Sequence, residues 1–238
     1  MRTAGQALTD SSGRVIGHYH VWLRDNLTLL SFGRIGNTRK TIEVRVKKAE
    51  FPSLPKALTL DGPIGVLDQT GSTLTMEVAN NDDELDSRLK TVAGLESFVT
   101  GIAANATDIA PASIADYGGP SDYRVVVANG DVTLGSGVGY GILLARRNVY
   151  VTGNFTWNGL VIIIGQGALH WNAGAYGIIN GGMFLARTRA DDGTLLAERG
   201  GITADFGGAA GALNYDAPAI AAANKVFPYV PIAIRERN

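Results

Sequence analysis

The sequence contains no cysteine, so disulfides, thiolate metal centres and cysteine nucleophiles are excluded. It has no excess charge of either sign: 21 Lys plus Arg face 22 Asp plus Glu, a formal net charge of -1. A balanced total exerts no overall pull on nucleic acid or an anionic membrane, and nucleic acid is not an expected partner. It also lacks an apolar run of the roughly 18 residues that a membrane-spanning helix needs. Met1-Arg2-Thr3-Ala4-Gly5-Gln6 has no signal-peptide pattern. What is present is a chain of 238 residues, 45% hydrophobic and 18% charged, which is enough to bury a core.

Glycine is plentiful, with 31 residues unevenly spread. Residues 1–50 read as an antiparallel β-meander: Gly17–Leu23 alternates, Leu27–Ile35 forms a second strand, Gly36-Asn37 turns, and Thr41–Lys47 alternates again. Ile42, Val44 and Val46 then share a buried face, and Glu43, Arg45 and Lys47 a wet one. Phe51-Pro52-Ser53-Leu54-Pro55 breaks the pattern as a linker candidate. Short strands are expected at Leu58–Leu60, Ile64–Leu67 and Leu74–Val78. One α-helix is expected over about 82–104, with Asn80, Asn81 or Asp82 as N-cap. Leu85, Leu89, Val92, Leu95, Phe98, Val99 and Ile102 line one side of it.

A repeat follows. Gly141, Gly159 and Gly177 each open an apolar run and stand 18 residues apart, with a weaker match at Tyr123. Second strands lie at Asp131–Leu134, Asn148–Val151, Gly167–His170 and Leu185–Arg187. A period of that size suits stacked coils of a β-solenoid, since a coil alone leaves both edges unpaired. Evenly spaced hairpins in a plain meander are the competing reading. The fold class expected is therefore mainly β, in two parts. Residues 1–50 form an antiparallel meander, and 51–238 a β-helix or solenoid-like, Gly-punctuated region with the one helix inserted.

Few residues suggest chemistry. His18 and His20 alternate on a strand and would share a face, as a metal site wants, but no third ligand lies nearby. His170 could serve as a lone general base, yet reads more simply as a surface residue beside Trp171. Asn80–Glu84 and Asp191-Asp192-Gly193 are oxygen-rich, without the spaced pattern of a calcium loop. Gly135–Gly139 lacks the Gly-Lys-Ser/Thr of a phosphate loop. Trp157, Trp171, Tyr140 and Tyr176 either fill a core or line an outer face that could bind sugars. No catalytic, cofactor-binding or metal residue is assigned.

Gly139-Tyr140-Gly141-Ile142-Leu143-Leu144-Ala145, continued by Val149-Tyr150-Val151-Thr152-Gly153-Asn154-Phe155-Thr156-Trp157-Asn158-Gly159-Leu160-Val161-Ile162, resembles the distal region of PilX-type pilus assembly proteins. Gly177–Ala186, Ala204–Gly208, Leu213–Asp216, Gly17–Val21 and Ser31–Val44 are similar to further segments of that family. Where the family commonly has a cysteine, this chain reads Asp216-Ala217-Pro218. The resemblance implies a pilin-like apolar N-terminal helix, which does not precede Arg14. The chain is thus expected to be the soluble outer part of such a protein, a natural soluble relative being the alternative. The implied function is non-enzymatic: a cell-surface or pilus-associated structural protein, extracellular, working through contacts with other pilus or cell-envelope proteins in assembly or adhesion, without a cofactor. A carbohydrate-binding or carbohydrate-active β-helix protein is the alternative class, and a bactofilin-like self-assembling scaffold a second.

Overall fold

A computed structural model describes residues 6–25, 27–48, 50–80, 85–110, 113–114, 117–227 and 229–237. The chain divides into two compact units, Met1–Ala49 with Pro228–Asn238, and Glu50–Phe227. The first is one antiparallel sheet of β1 (Gln6–Thr9), β2 (Val15–Asp25), β3 (Thr28–Ile35), β4 (Thr38–Lys48) and β20 (Tyr229–Arg237), in that spatial order. The C-terminal strand pairs with β4 and so belongs to this sheet.

The alternation in β4 is real, but burial does not follow it. Ile42 is 40% exposed, whereas Glu43, expected to be wet, is 3% exposed. Arg235 and Arg237 reach the Glu43 carboxylate at 2.6 and 2.7 Å, and Arg24 stands 3.6 Å away. Long arginine stems lie across that face and cover it, which a polarity pattern alone does not register.

The second unit is wound. Its elements are β5 (Leu58–Leu60), β6 (Ile64–Asp68), β7 (Val78–Asn80), α1 (Val92–Ala103), β8 (Asp108–Ile109), β9 (Ser113–Ile114), β10 (Arg124–Ala128) and β11 (Val132–Leu134). There follow β12 (Gly137–Ala145), β13 (Val149–Val151), β14 (Phe155–Gly165), β15 (Ala168–Trp171), β16 (Tyr176–Arg189), β17 (Leu195–Gly200), β18 (Ile202–Asp205), β19 (Ala210–Tyr215) and α2 (Ala217–Asn224). From β8 to β16 the chain visits two sheets alternately. The larger runs β7-β5-β16-β14-β12-β10-β8 and the smaller β6-β18-β15-β13-β11-β9. Among the described residues every pairing between these strands is parallel except the β16–β17 hairpin, and β19 adds to the first half of β16.

The register holds the reason for the glycines. Gly141 lies opposite Gly159, and Gly159 opposite Gly181. All three have positive φ, at 121°, 134° and 144°. A Cβ on any of them would overlap the backbone of the neighbouring strand: Arg124, Gly141 and Gly159 respectively. Only glycine fits there. Gly177, read as the third repeat position, instead pairs with Phe155. Val149 pairs with Leu169 and Phe155 with Gly177, so the offset grows to 20 and then 22 residues: each corner of that coil carries two extra residues. The next second strand is likewise β18, not Leu185–Arg187, which continues β16.

Between the sheets lies the core. Val126, Leu143, Val161 and Met183 stack in one column of the larger sheet, facing Val149, Leu169 and Ala204 of the smaller, with Phe155, Trp157 and Trp171 filling the ends. The other face of the larger sheet is also dry: Ile142, Leu144, Leu160, Ile162 and Phe184 are buried. Helices α1 and α2 pack on β12, β14 and β16. Burial on both faces explains why these strands read as unbroken apolar runs.

Helix α1 starts at Val92, not near residue 82. Thr91 is its N-cap, extended at φ -127°, with Oγ1 accepting from the Gly94 amide at 3.1 Å. Ser87–Leu89 form a separate 3₁₀ turn that buries Leu89. Asn80 ends β7, Leu74–Thr75 precede that strand, and residues 81–84 lie outside the described residues. Val92, Leu95, Val99 and Ile102 make the buried face. Helix α2 was not expected; Asp216 caps it through the Ala219 amide at 3.0 Å, with Pro218 in the first turn. Phe51 and Leu54, in the stretch read as a linker, are buried, Phe51 packing edge-on against Phe98 and Phe184.

Candidate functional site

The residues matched between coils build the scaffold first. Trp157 is fully buried, its ring fills the space above Gly139, and its Nε1 donates to the Gly141 carbonyl at 3.2 Å. Gly135–Gly139 therefore enters strand β12 and makes room for an indole. Trp171 fills the space above Gly177 in the same way and donates to Ala175 at 3.3 Å. Tyr140 packs edge-on against Tyr123, and Tyr176 is exposed.

Beside the glycine column runs an amide ladder. Asn158 lies opposite Asn180, and Asn180 opposite Asn214. Nδ2 of Asn158 donates to the Gly139 carbonyl at 3.4 Å, Asn180 to Asn158 Oδ1 at 3.1 Å, and Asn214 to Asn180 Oδ1 at 3.0 Å. Each side chain satisfies the next, so the ladder ties one coil to another. It was missed in the sequence because 158, 180 and 214 share no fixed spacing.

On the outer face of the smaller sheet, register aligns Thr133, Tyr150, His170, Asp205 and Asp68. His170 stacks on Tyr150 with ring centroids 5.1 Å apart and 13° between planes. Its Nδ1 stands 3.8 Å from Asp205 Oδ2. Asp205 accepts from the Gly207 amide at 3.0 Å, and Asp68 from the Thr70 amide at 2.8 Å. The Thr70 side chain and backbone hold the Asp68 carboxyl below its ordinary range. His170 is thus the surface residue expected, with Asp205 as its carboxylate neighbour and Asp68, 137 positions from Asp205 in the sequence, on the strand beyond. The column is open to solvent, His170 being about a third exposed, and offers surface recognition without a water-excluded reacting centre.

His18 and His20 do share a face, in a hollow of about 990 Å³ lined also by Phe32, Arg34, Arg39 and Thr41. Its charge is positive, which suits an anion and repels a metal ion. Among the described residues no three His, Asp or Glu side chains group as metal ligands. Asp191-Asp192-Gly193 is the β16–β17 turn: Asp191 pairs with Arg187 at 2.9 Å, and Asp192 accepts from the Thr194 amide at 2.9 Å and hydroxyl at 2.7 Å.

Half-buried Glu96 and buried Asp61 have structural partners. Burial pushes Glu96 up, but hydrogen bonds from Arg189 and Thr188 and the charges of Arg189 and Arg146 outweigh it, so the carboxyl sits below its usual range. Arg189 donates to it at 3.2 and 2.5 Å and Thr188 at 2.6 Å, tying α1 to β16. For Asp61 the balance is reversed: burial raises its pKa despite the charges of Arg199 and Lys90 and a hydrogen bond from Arg199.

No family model and no curated protein matches the chain. Among solved structures, the competence-associated pilin ComZ from Thermus thermophilus aligns over 99% of this chain and 87% of its own, at 12% identity and a TM-score of 0.24. A likeness that distant carries no argument about this chain. Among the described residues, no helix is long and apolar enough to cross a membrane.

Proposed function

We propose that the protein is a non-enzymatic, pilus-associated structural protein exposed at the cell surface, of the PilX type, and that it works through contacts with other pilus or cell-envelope proteins in assembly or adhesion. The observation that carries this reading is where the residues of the resemblance lie. Gly139, Gly141, Trp157, Asn158 and Gly159 all support coil stacking: glycines admit the neighbouring backbone or an indole, and Asn158 starts the amide ladder. The residues that carry the resemblance thus build a rigid support, and the exposed side chains around it supply the contacts.

Deletion of the gene in its source bacterium tests the proposal, with surface filaments counted by electron microscopy and attachment measured beside a complemented strain. Loss of filaments or of attachment, restored by complementation, is the expected result. Wild-type filaments and attachment in the deletion strain would refute it. Spontaneous filaments of the purified chain would favour the self-assembling scaffold instead.

A further inference from the structure

Net charge conceals a strong local asymmetry. Strand register places Arg34, Arg39, Arg45, Arg235 and Arg237 on one face of the antiparallel sheet, and Arg24 joins them through Glu43. Glu43 is the buried carboxylate on that face and register also brings the Asp25 position there, opposite Thr28 and Arg45, so six arginines face two acids in a protein of net charge -1. Arg34, Arg39 and Arg45 make no ion pair among the described residues and are exposed. Two hollows open on this face, the one of about 990 Å³ around His18, His20, Arg34 and Arg39, and one of about 400 Å³ around Arg24, Arg45 and Arg235.

We propose that this face binds an acidic polysaccharide, one whose sugar rings carry carboxylates. Three features select that class. First, the face already takes a carboxylate: Arg235 and Arg237 hold the Glu43 oxygens at 2.6 and 2.7 Å, and guanidinium forks match planar oxyanions. Second, Trp22 is 41% exposed on the same face, propped against Phe32 at 5.1 Å, giving an apolar ring for the C–H face of a sugar. Third, His18, His20 and Thr41 line the larger hollow with groups suited to hydroxyls. An acidic peptide would leave the aromatic unused. A nucleic-acid strand needs a succession of stacking platforms, whereas Trp22 is the one large exposed aromatic on this face among the described residues. The inference rests on this face alone and stands or falls apart from the pilus reading.

Titration calorimetry of the whole chain with polygalacturonate oligomers tests it, with poly-L-glutamate and a single-stranded oligonucleotide of equal charge as comparators. The expected result is binding that weakens with salt and favours polygalacturonate over both comparators. The triple variant Arg34→Ala, Arg39→Ala, Arg45→Ala should lose tenfold or more in affinity, roughly what several charge-assisted contacts supply. The matching Arg→Lys triple variant, which keeps the charge and any charge-dependent folding, should fall between it and the parent. Trp22→Ala should weaken polygalacturonate severalfold and leave poly-L-glutamate unchanged. Arg147→Ala, in the wound unit, should change nothing. Absence of polygalacturonate binding, equal or tighter binding of either comparator, or full affinity in the triple alanine variant would overturn the proposal.

Discussion

The antiparallel unit and the wound unit use similar strands for opposite ends. In the wound unit the larger sheet is dry on both faces, and Leu143, Leu144, Val161 and Ile162 are fully buried. In the antiparallel unit Leu23, Ile35, Ile42 and Ile234 are all more than a third exposed, and the best-buried charged residue, Glu43, is covered by arginines. Stability is concentrated in the first arrangement, and exposed chemical variety in the second. A rigid support and a displayed surface are therefore separate tasks here, assigned to separate stretches of chain.

Substitution of the column glycines should sharpen that contrast most. Gly159→Val forces a side chain at φ 134° into the Gly141 backbone, and we expect a loss of at least about 4 kcal/mol or failure to fold. Gly33→Ala in β3, where an added Cβ meets nothing within 4 Å, should cost no more than about 1 kcal/mol. Urea unfolding followed by circular dichroism separates the two; similar costs would break the comparison. Next in size, Trp157→Ala should cost about 3–5 kcal/mol, the usual range for emptying a buried aromatic site, whereas Trp22→Ala should cost about 1 kcal/mol or less.

Glu96→Ala should cost about 1–3 kcal/mol by leaving Thr188, fully buried, and Arg189 without their acceptor. Its pH dependence has a definite sign. A carboxyl with a depressed folded pKa stabilises fully above the unfolded value, and that contribution is lost as pH falls through the folded one. The parent should therefore lose stability over that acidic window, and the variant should lose less. Smallest is the ladder: Asn180→Ala breaks two amide bonds at the edge of solvent, and about 1 kcal/mol is expected in thermal unfolding.

How much of this was legible follows from distance along the chain. Strands β2, β3 and β4 show a period of two, and Gly141 and Gly159 pair at an offset of 18, whereas the offset before them is 17, so Gly141 pairs with Arg124 and not with Tyr123. Gly177 satisfied the same count by coincidence, since two extra residues at each corner moved the true partner to Gly181. Helix α1 begins later than its spacing suggests, because Leu85 and Leu89 have helical spacing and are buried while lying before and within a separate preceding turn. The carboxylate beside His170 comes from β18 and the next in that row from β6, and the arginines over Glu43 come from β2 and β20. Pairing across that separation leaves no local pattern, so neither cluster was visible before the strands were placed.

The central claim, that this is a surface structural protein built on a stacked support, is tested most directly by an immunoblot of fractionated source cells with antibody against the folded chain. The account predicts the signal in the membrane and sheared-surface fractions. A signal confined to the cytosol would contradict it.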